Sequence, residues 1–359
     1  MNNKSILNSK KIKNFLKYAV LLMVCAFPAL SFAQEKDTTA EVKKFSPKEV
    51  ILEHIADSHS WHMIGKFSLP LPVILYTDKG LEVFSSAKIE RHEEGETVIY
   101  KGKYYNYKLD HNKILAVDDA GQVNEQATHK LWDFSITRNV ASMWMAMIIL
   151  LLVFFSVSSS YKNRVGKAPK GFQSLIEPVI LFVRDDVAIP NIGAKHVKYM
   201  PLLLTMFFFI LINNLLGLVP LFPGGYNLTG NIAVTLVLSV ITLIVVNASG
   251  NKYYWKHIFA PDIPLWLYII MVPVEMIGII SRPFALMIRL FANITAGHII
   301  VLSLISLIFI FNTLWISPVS VVFVVFMDVI ELLVAFLQAF IFTMLSALFI
   351  GMAVEEHHH

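Results

Sequence analysis

The sequence predicts an all-α polytopic membrane protein with about five membrane helices. Two of these are long C-terminal helices, and an interfacial helix and a small N-terminal extracytoplasmic region with β content accompany them. Three observations predict this class. Hydrophobic residues make up 56% of the 359-residue chain and charged residues only 16%, and the mean hydropathy is +0.61, proportions of an integral membrane protein. Apolar runs long enough to cross about 30 Å of hydrocarbon recur from Val140 onward. Ahead of them, the composition of residues 34–135 shifts toward charged residues, with Val, Ile and Tyr gathered between Gly turns. A net charge of +4 is too small to suggest nucleic acid as a partner, and Cys25 is the single cysteine, so no intramolecular disulfide can form.

Taken in order, residues 1–33 place Lys4, Lys10, Lys11, Lys13 and Lys17 before a short apolar run, Tyr18 to Leu30, and then Ser31-Phe32-Ala33. A basic start, a run too short to span comfortably and small residues before the junction read as a secretory signal peptide cleaved after Ala33, with an uncleaved anchor as the alternative. Residues 34–135 are then extracytoplasmic. Within them Val42 to Trp61 reads as a helical or loop entry, and Leu81 to Leu115, including ETVIYKGKYYNYKLD, reads as short strands in hairpins. The region carries His54, His59, His62, His92, His111 and His129, but no HExxH or cysteine-bearing zinc pattern, so no metal is assigned.

The remainder, 136–359, is the membrane domain. Val140 to Val157 is the first span, and Lys162, Arg164, Lys167 and Lys170 after it mark the cytoplasmic side, in agreement with an exported N-terminus. Phe172 to Val187, interrupted by Glu177, Arg184 and Asp185, suits an interfacial helix. Tyr199 to Leu221 and Ile232 to Val246 are the second and third spans, joined by the uncharged outer turn PGGYNLTGN. Asn213 and Asn214, inside the second span, read as interhelical glue before pathway. Ile263 to Phe311 as one helix would be about 74 Å long, so it is either strongly inclined or broken near Pro273 or Pro283. Ser317 to Val354 is its partner, and the chain ends in the cytoplasm.

The chemistry concentrates in these last two helices. From Ile263 to Phe311 the only charged side chains are Glu275, Arg282 and Arg289. An arginine inside hydrocarbon costs about 2.5–3.5 kcal/mol on insertion scales, so one that persists there is a functional candidate. Steps of seven residues bring the three to one helical face within roughly 40°, with Asn293 one turn beyond Arg289, whereas His298 points the opposite way. Downstream, Asp328, Glu331 and Gln338 punctuate the second helix, and Glu331 and Gln338 share a face.

RPFALMIRLFANITAGH followed by LQAFIF, with Glu275 fourteen residues before Arg289, resembles the a subunit of rotary F-type ATP synthases, convincingly from about Tyr199 to the C-terminus. The best-known bacterial members carry an acid where this chain has His298 and a histidine where it has Glu331, so the pair is exchanged reciprocally, an arrangement that looks like that of mitochondrial members. Near Asn231 and Ala233 the chain also departs from an Asp/Asn pair frequent at the outer mouth.

The resemblance implies a bacterial inner-membrane stator with two offset proton half-channels. Its partners would be the c-ring of the rotor, b-type peripheral stalk subunits, the other ATP synthase subunits and the lipid bilayer. It implies two long, steeply inclined helices wrapped against the ring. Arg289 would lower the pKa of an arriving rotor carboxylate and, always protonated, would bar protons from passing directly between half-channels. His298 and Glu331 would relay protons on the outer side. Gln338 and Asn293 would orient water or the arginine, Glu275 would serve the inner half-channel, and Arg282 would snorkel. No Walker A, GxSxG or HExxH pattern occurs, so no cofactor is assigned and catalysis would reside in other subunits. The alternatives are a secondary transporter in which Arg289 binds an anionic substrate among Asn213, Asn214 and Gln338, which calls for an internal repeat that is not visible, and a membrane-anchored binding module built on residues 34–135.

Overall fold

The computed structural model describes residues 57–64, 67–89, 98–110, 112–163, 168–219, 226, 228–259, 264–311 and 316–355. The signal-like segment, Cys25 and its Ala33 junction, His54, His92, His111, Arg164, Lys167 and the three terminal histidines lie outside the described residues.

Eight short strands build the N-terminal part: β1 (Ser60–Ile64), β2 (Phe67–Pro70), β3 (Pro72–Thr77), β4 (Gly80–Ser85), β5 (Ile99–Lys101), β6 (Asn106–Asp110), β7 (Lys113–Val117) and β8 (Trp132–Asp133). All pairings are antiparallel: β1 with β2, β4-β3-β8 as one sheet and β5-β6-β7 as another. The alternation expected of half-buried strands holds in β3, where Val73 and Leu75 turn inward and join Phe84, Ile89, Tyr107 and Ile114 in a small core. Glu82 enters this core from β4 as a buried carboxylate; it accepts hydrogen bonds from the Lys103 amide and, at 2.9 Å, from the Tyr107 hydroxyl, so the two three-stranded sheets are tied by a satisfied polar group. Strand content thus extends beyond the expected 81–115, and Trp61 belongs to β1 rather than to a helical or loop entry. A hairpin partner, Leu69 opposite Trp61, supplies the ladder that holds it extended.

Nine helices are described: α1 (Glu125–His129), α2 (Arg138–Asn163), α3 (Gln173–Phe182), α4 (Ile189–Ile192), α5 (His196–Leu218), α6 (Ile232–Ser249), α7 (Lys252–Phe259), α8 (Leu265–Phe311) and α9 (Ile316–Val354). Five helical runs are long and apolar enough to cross a membrane: 138–162, 173–218, 232–249, 267–308 and 317–354. The anticipated interfacial stretch is therefore the first part of a longer helical run. Between α3 and α4 the backbone opens into a π-turn over Val183–Ala188, where the Ile189 amide reaches back to the Arg184 carbonyl. Pro190 follows at once; lacking an N–H, it interrupts the ordinary ladder at this point.

Neither Pro273 nor Pro283 breaks α8, which stays helical throughout its 47 residues. Its length, about 70 Å, exceeds twice the hydrocarbon thickness, so the inclined of the two expected geometries is the one the fold adopts. α8 packs along α9 and α6, and α9 along α5. The apolar core lies where α5 and α9 meet, around Leu203, Phe207, Ile210, Ala339, Phe342 and Ile350, with Leu286 and Leu290 added from α8. At the end of α9, Gly351 lies against the Asn191 carbonyl so closely that a Cβ would overlap it. Asn251 and Lys195 then cap the helix: the Asn251 amide donates to the Ala353 carbonyl at 2.9 Å, and its side chain and Lys195 Nζ donate to the Val354 carbonyl at 2.9 and 3.3 Å.

The β part is joined to the first membrane helix by more than chain continuity. The Ser58 carbonyl accepts from the Arg138 amide at 2.8 Å and Asp57 Oδ1 from the Asn139 amide at 3.1 Å, so the N-terminus of α2 is capped from β1's leading segment. Beside it His59 Nε2 lies 3.0 Å from Asp133 Oδ2.

Candidate functional site

Glu275 and Arg282 of α8 are half-buried, whereas Arg289, on the same helical face by seven-residue steps, is exposed. Among the described residues the guanidinium has no carboxylate within 4.0 Å, so neither Glu275 nor Glu331 holds it as a structural counter-ion. A permanent cation within a membrane helix is expensive unless it meets a partner or water.

On one side of Arg289, along the helix axis, a small cavity lies between α5, α8 and α9. Asn214, Leu218, Asn293, Ile294, His298, Glu331, Val334 and Ala335 line it, and it leaves about 20 Å³ for the centres of water molecules, more than the roughly 10–15 Å³ one water needs. His298 of α8 and Glu331 of α9 thus line the same space. They do not bond directly among the described residues: Glu331 Oε1 is buried with no protein donor. The acid and imidazole thus share a cavity with room for one water without being hydrogen-bonded to each other.

Gly297 makes this approach possible. A Cβ there would overlap Glu331 Oε1 and stand 3.1 Å from Cδ, so only glycine lets the carboxylate lie against α8. Sequence reasoning missed this residue; the signal was a glycine inside an otherwise apolar helix, next to the one histidine.

One turn closer to Arg289, Asn293 Nδ2 donates to Gln338 Oε1 at 2.8 Å, and Gln338 is almost wholly buried. This bond bridges α8 and α9 and leaves Gln338 Nε2 without a protein acceptor among the described residues. Asn214 is committed to structure: its Oδ1 accepts from Thr229 at 2.7 Å and its Nδ2 donates to the Ala335 carbonyl at 3.2 Å. Asn213 donates to its own helix, to the Phe209 carbonyl at 2.7 Å. Asn231 caps α6 through the Ala233 amide at 2.9 Å.

On the other side of Arg289 a second, smaller cavity is lined by Thr242, Val246, Asn247, Tyr254, Ile279, Arg282 and Phe349. Arg282 holds its guanidinium 5.8 Å above the Phe349 ring, a cation–π contact. Glu275 is half-buried two turns before it. The six candidate residues thus divide: Asn293, His298 and Glu331 line one cavity, Gln338 is bonded to Asn293 behind it, Arg289 stands exposed between the two cavities along α8, and Glu275 lies toward the second. Among the described residues no three His, Cys, Asp or Glu side chains stand close enough to hold a metal ion.

The ATP synthase A chain family matches residues 140–351. A domain of unknown function (DUF8433) matches residues 50–134. The chain is 51% identical over 234 residues to ATP synthase subunit a of Chloroherpeton thalassium, covering 64% of this chain and 69% of that protein. It is 42% identical over 284 residues to that of Pelodictyon phaeoclathratiforme, covering 77% and 82%. For the subunit of Myxococcus xanthus the figures are 44% over 234 residues, 63% and 75%. By matches of this extent and its five apolar helical runs, the chain belongs to the ATP synthase A chain family, as a multi-pass bacterial membrane protein and a non-catalytic component of the ATP synthase membrane sector.

Proposed function

We propose that this subunit carries protons to and from a rotor through two offset half-channels, with Arg289 between them on the face that meets the rotor's ring of carboxylates. The observation that carries the reading is the position of Arg289: exposed on α8, free of ion pairs among the described residues, and flanked along the helix by a cavity on either side. A carboxylate arriving beside a fixed cation loses its proton, because the charged form is favoured there. A guanidinium cannot relay that proton onward, so it separates the two paths. In the outer path His298 and Glu331 exchange protons across the water-sized gap, an imidazole being able to donate at one nitrogen and accept at the other. The Asn293–Gln338 bond fixes the spacing of α8 and α9 beside the arginine. Glu275 and the Arg282 cavity belong to the inner path.

In this reading the chain assembles with the c-ring and b-type peripheral stalk subunits in the bacterial inner membrane. After removal of residues 1–33 the N-terminal domain, 34–135, lies in the periplasm, and the membrane domain, 136–359, ends in the cytoplasm. The test is Arg289→Ala in the assembled complex, reconstituted in vesicles. ATP synthesis driven by a proton gradient should vanish, whereas passive proton conductance should persist or rise. Normal ATP synthesis in that variant would refute the role of Arg289.

A further inference from the structure

The β part of the chain touches the membrane part at a place close to the His298 cavity. Trp61, in β1, is 4% exposed, and its ring meets that of Tyr226 edge to face at 6.0 Å. Tyr226, in the segment between α5 and α6, is 1% exposed and clusters with Trp61 and Leu228 against Met143 and Met145 of α2, Leu216 of α5 and Val234 of α6. From there the contacts run inward. The Tyr226 carbonyl lies 2.8 Å from where a Cβ of Gly217 would stand, and His298 Nε2 lies 3.9 Å from the same point. Thr229, in the same segment, donates to Asn214, whose side chain lines the cavity and holds the Ala335 carbonyl of α9.

We infer that the β domain forms the cover of the outer half-channel, with Trp61 as a positioning residue that pins Tyr226 beside the cavity holding His298 and Glu331. The inference rests on the half-channel reading above. Its physical basis is that an aromatic pair, both members nearly fully buried, stands beside the cavity wall, with the Tyr226 carbonyl against Gly217, the residue before Leu218, and that the domain carrying Trp61 is itself fixed to α2 by the Ser58 and Asp57 bonds. Opening the cover then requires breaking the Trp61–Tyr226 contact, a local rather than a global unfolding event. The domain therefore sets how readily water reaches His298 from outside, without touching the proton itself.

The test uses the full chain in the assembled ATP synthase, in vesicles oriented with the β domain outside. Cys25 is replaced by Ser and Leu218 by Cys, and an impermeant maleimide is added outside. Trp61→Ala should raise the labelling rate of Leu218→Cys by about threefold to tenfold, the change in local opening expected when one aromatic pair is lost. Trp61→Phe should restore most of the protection, and Tyr226→Leu, which acts from the membrane side of the contact, should reproduce the rise if Trp61→Ala fails to assemble. Labelling unchanged in both Trp61→Ala and Tyr226→Leu would overturn the cover. Failure of the half-channel reading is separable, because it appears as normal proton conductance in His298→Ala, measured in the same vesicles without label.

Discussion

Gly297→Ala is the sharpest perturbation of the proton path that leaves every titratable group in place. The added Cβ would overlap Glu331 Oε1 and press on Cδ and Cγ at 3.1 and 3.3 Å, so the whole carboxyl end must yield. Glu331 can turn off its rotamer at about 0.5–1.5 kcal/mol, or α8 and α9 can part at the roughly 1–3 kcal/mol typical of overpacking. Neither cost threatens a helix pair of this length. Function is the sensitive quantity, since displacement of a reacting group by about 1 Å costs on the order of a hundredfold. Gradient-driven ATP synthesis should therefore fall roughly tenfold to a hundredfold while the complex still assembles. Adding Glu331→Asp, which shortens the side chain by one methylene, should recover part of the rate, and a double-mutant cycle on proton conductance should show coupling between the two positions. A Gly297→Ala complex that synthesises ATP at the parent rate would sink the claim that the carboxylate works from its place against α8.

Two further outcomes concern the β domain. Burial pushes the Asp133 carboxyl up, but hydrogen bonds from His59 and Ser135 outweigh it and hold the group below the usual carboxylate range. A depressed folded-state pKa stabilises above the unfolded value and is lost as pH falls through the folded one; hydrogen-exchange protection around β3 and β8 should exceed that of Asp133→Asn near neutrality, and the difference should shrink below about pH 4. A constant difference down to pH 2 would contradict this. Tyr107→Phe removes the hydroxyl that burial and Glu82 hold in its neutral form. Exchange of amides in β4 and β6 should then quicken by the equivalent of about 1.5–3 kcal/mol, the worth of a hydrogen bond to a buried charge, and unchanged exchange would show the Glu82 tie to be dispensable.

The spans were legible because lipid demands long apolar runs, and their ends fell within a few residues of the helices observed, as at Val140 against Arg138 and Val246 against Ser249. That Glu275, Arg282 and Arg289 share a helical face was legible from seven-residue steps; that Arg289 is exposed while Arg282 meets Phe349 was not. What stayed hidden needed the register between chains far apart in sequence. Asn293 and Gln338 were each assigned to water or arginine, yet they bond each other across 45 positions of α8 and α9. Gly297 carries no chemistry of its own, and its value depends on which side chain lies opposite. In the β domain, Pro70 and Pro72 within LPLPVILYT obscured β3, because a proline in a run argues against a strand until its edge position is known. Trp61 gave no periodic signal at all; its burial comes from Tyr226, more than a hundred residues away.

The capped end of α9 also governs how the subunit bears load. Gly351 seated on Asn191, with Asn251 and Lys195 gripping the last carbonyls, makes that end a fixture, and a rod held at one end deflects least beside its support. Gln338 lies about 24 Å of helix from Val354 and Glu331 about 35 Å. Sideways drag from a turning neighbour would therefore move the acid of the outer path more than the Gln338 that braces α8 beside Arg289. Compliance along α9 therefore grows from Gln338 toward Ile316, the end remote from that fixture.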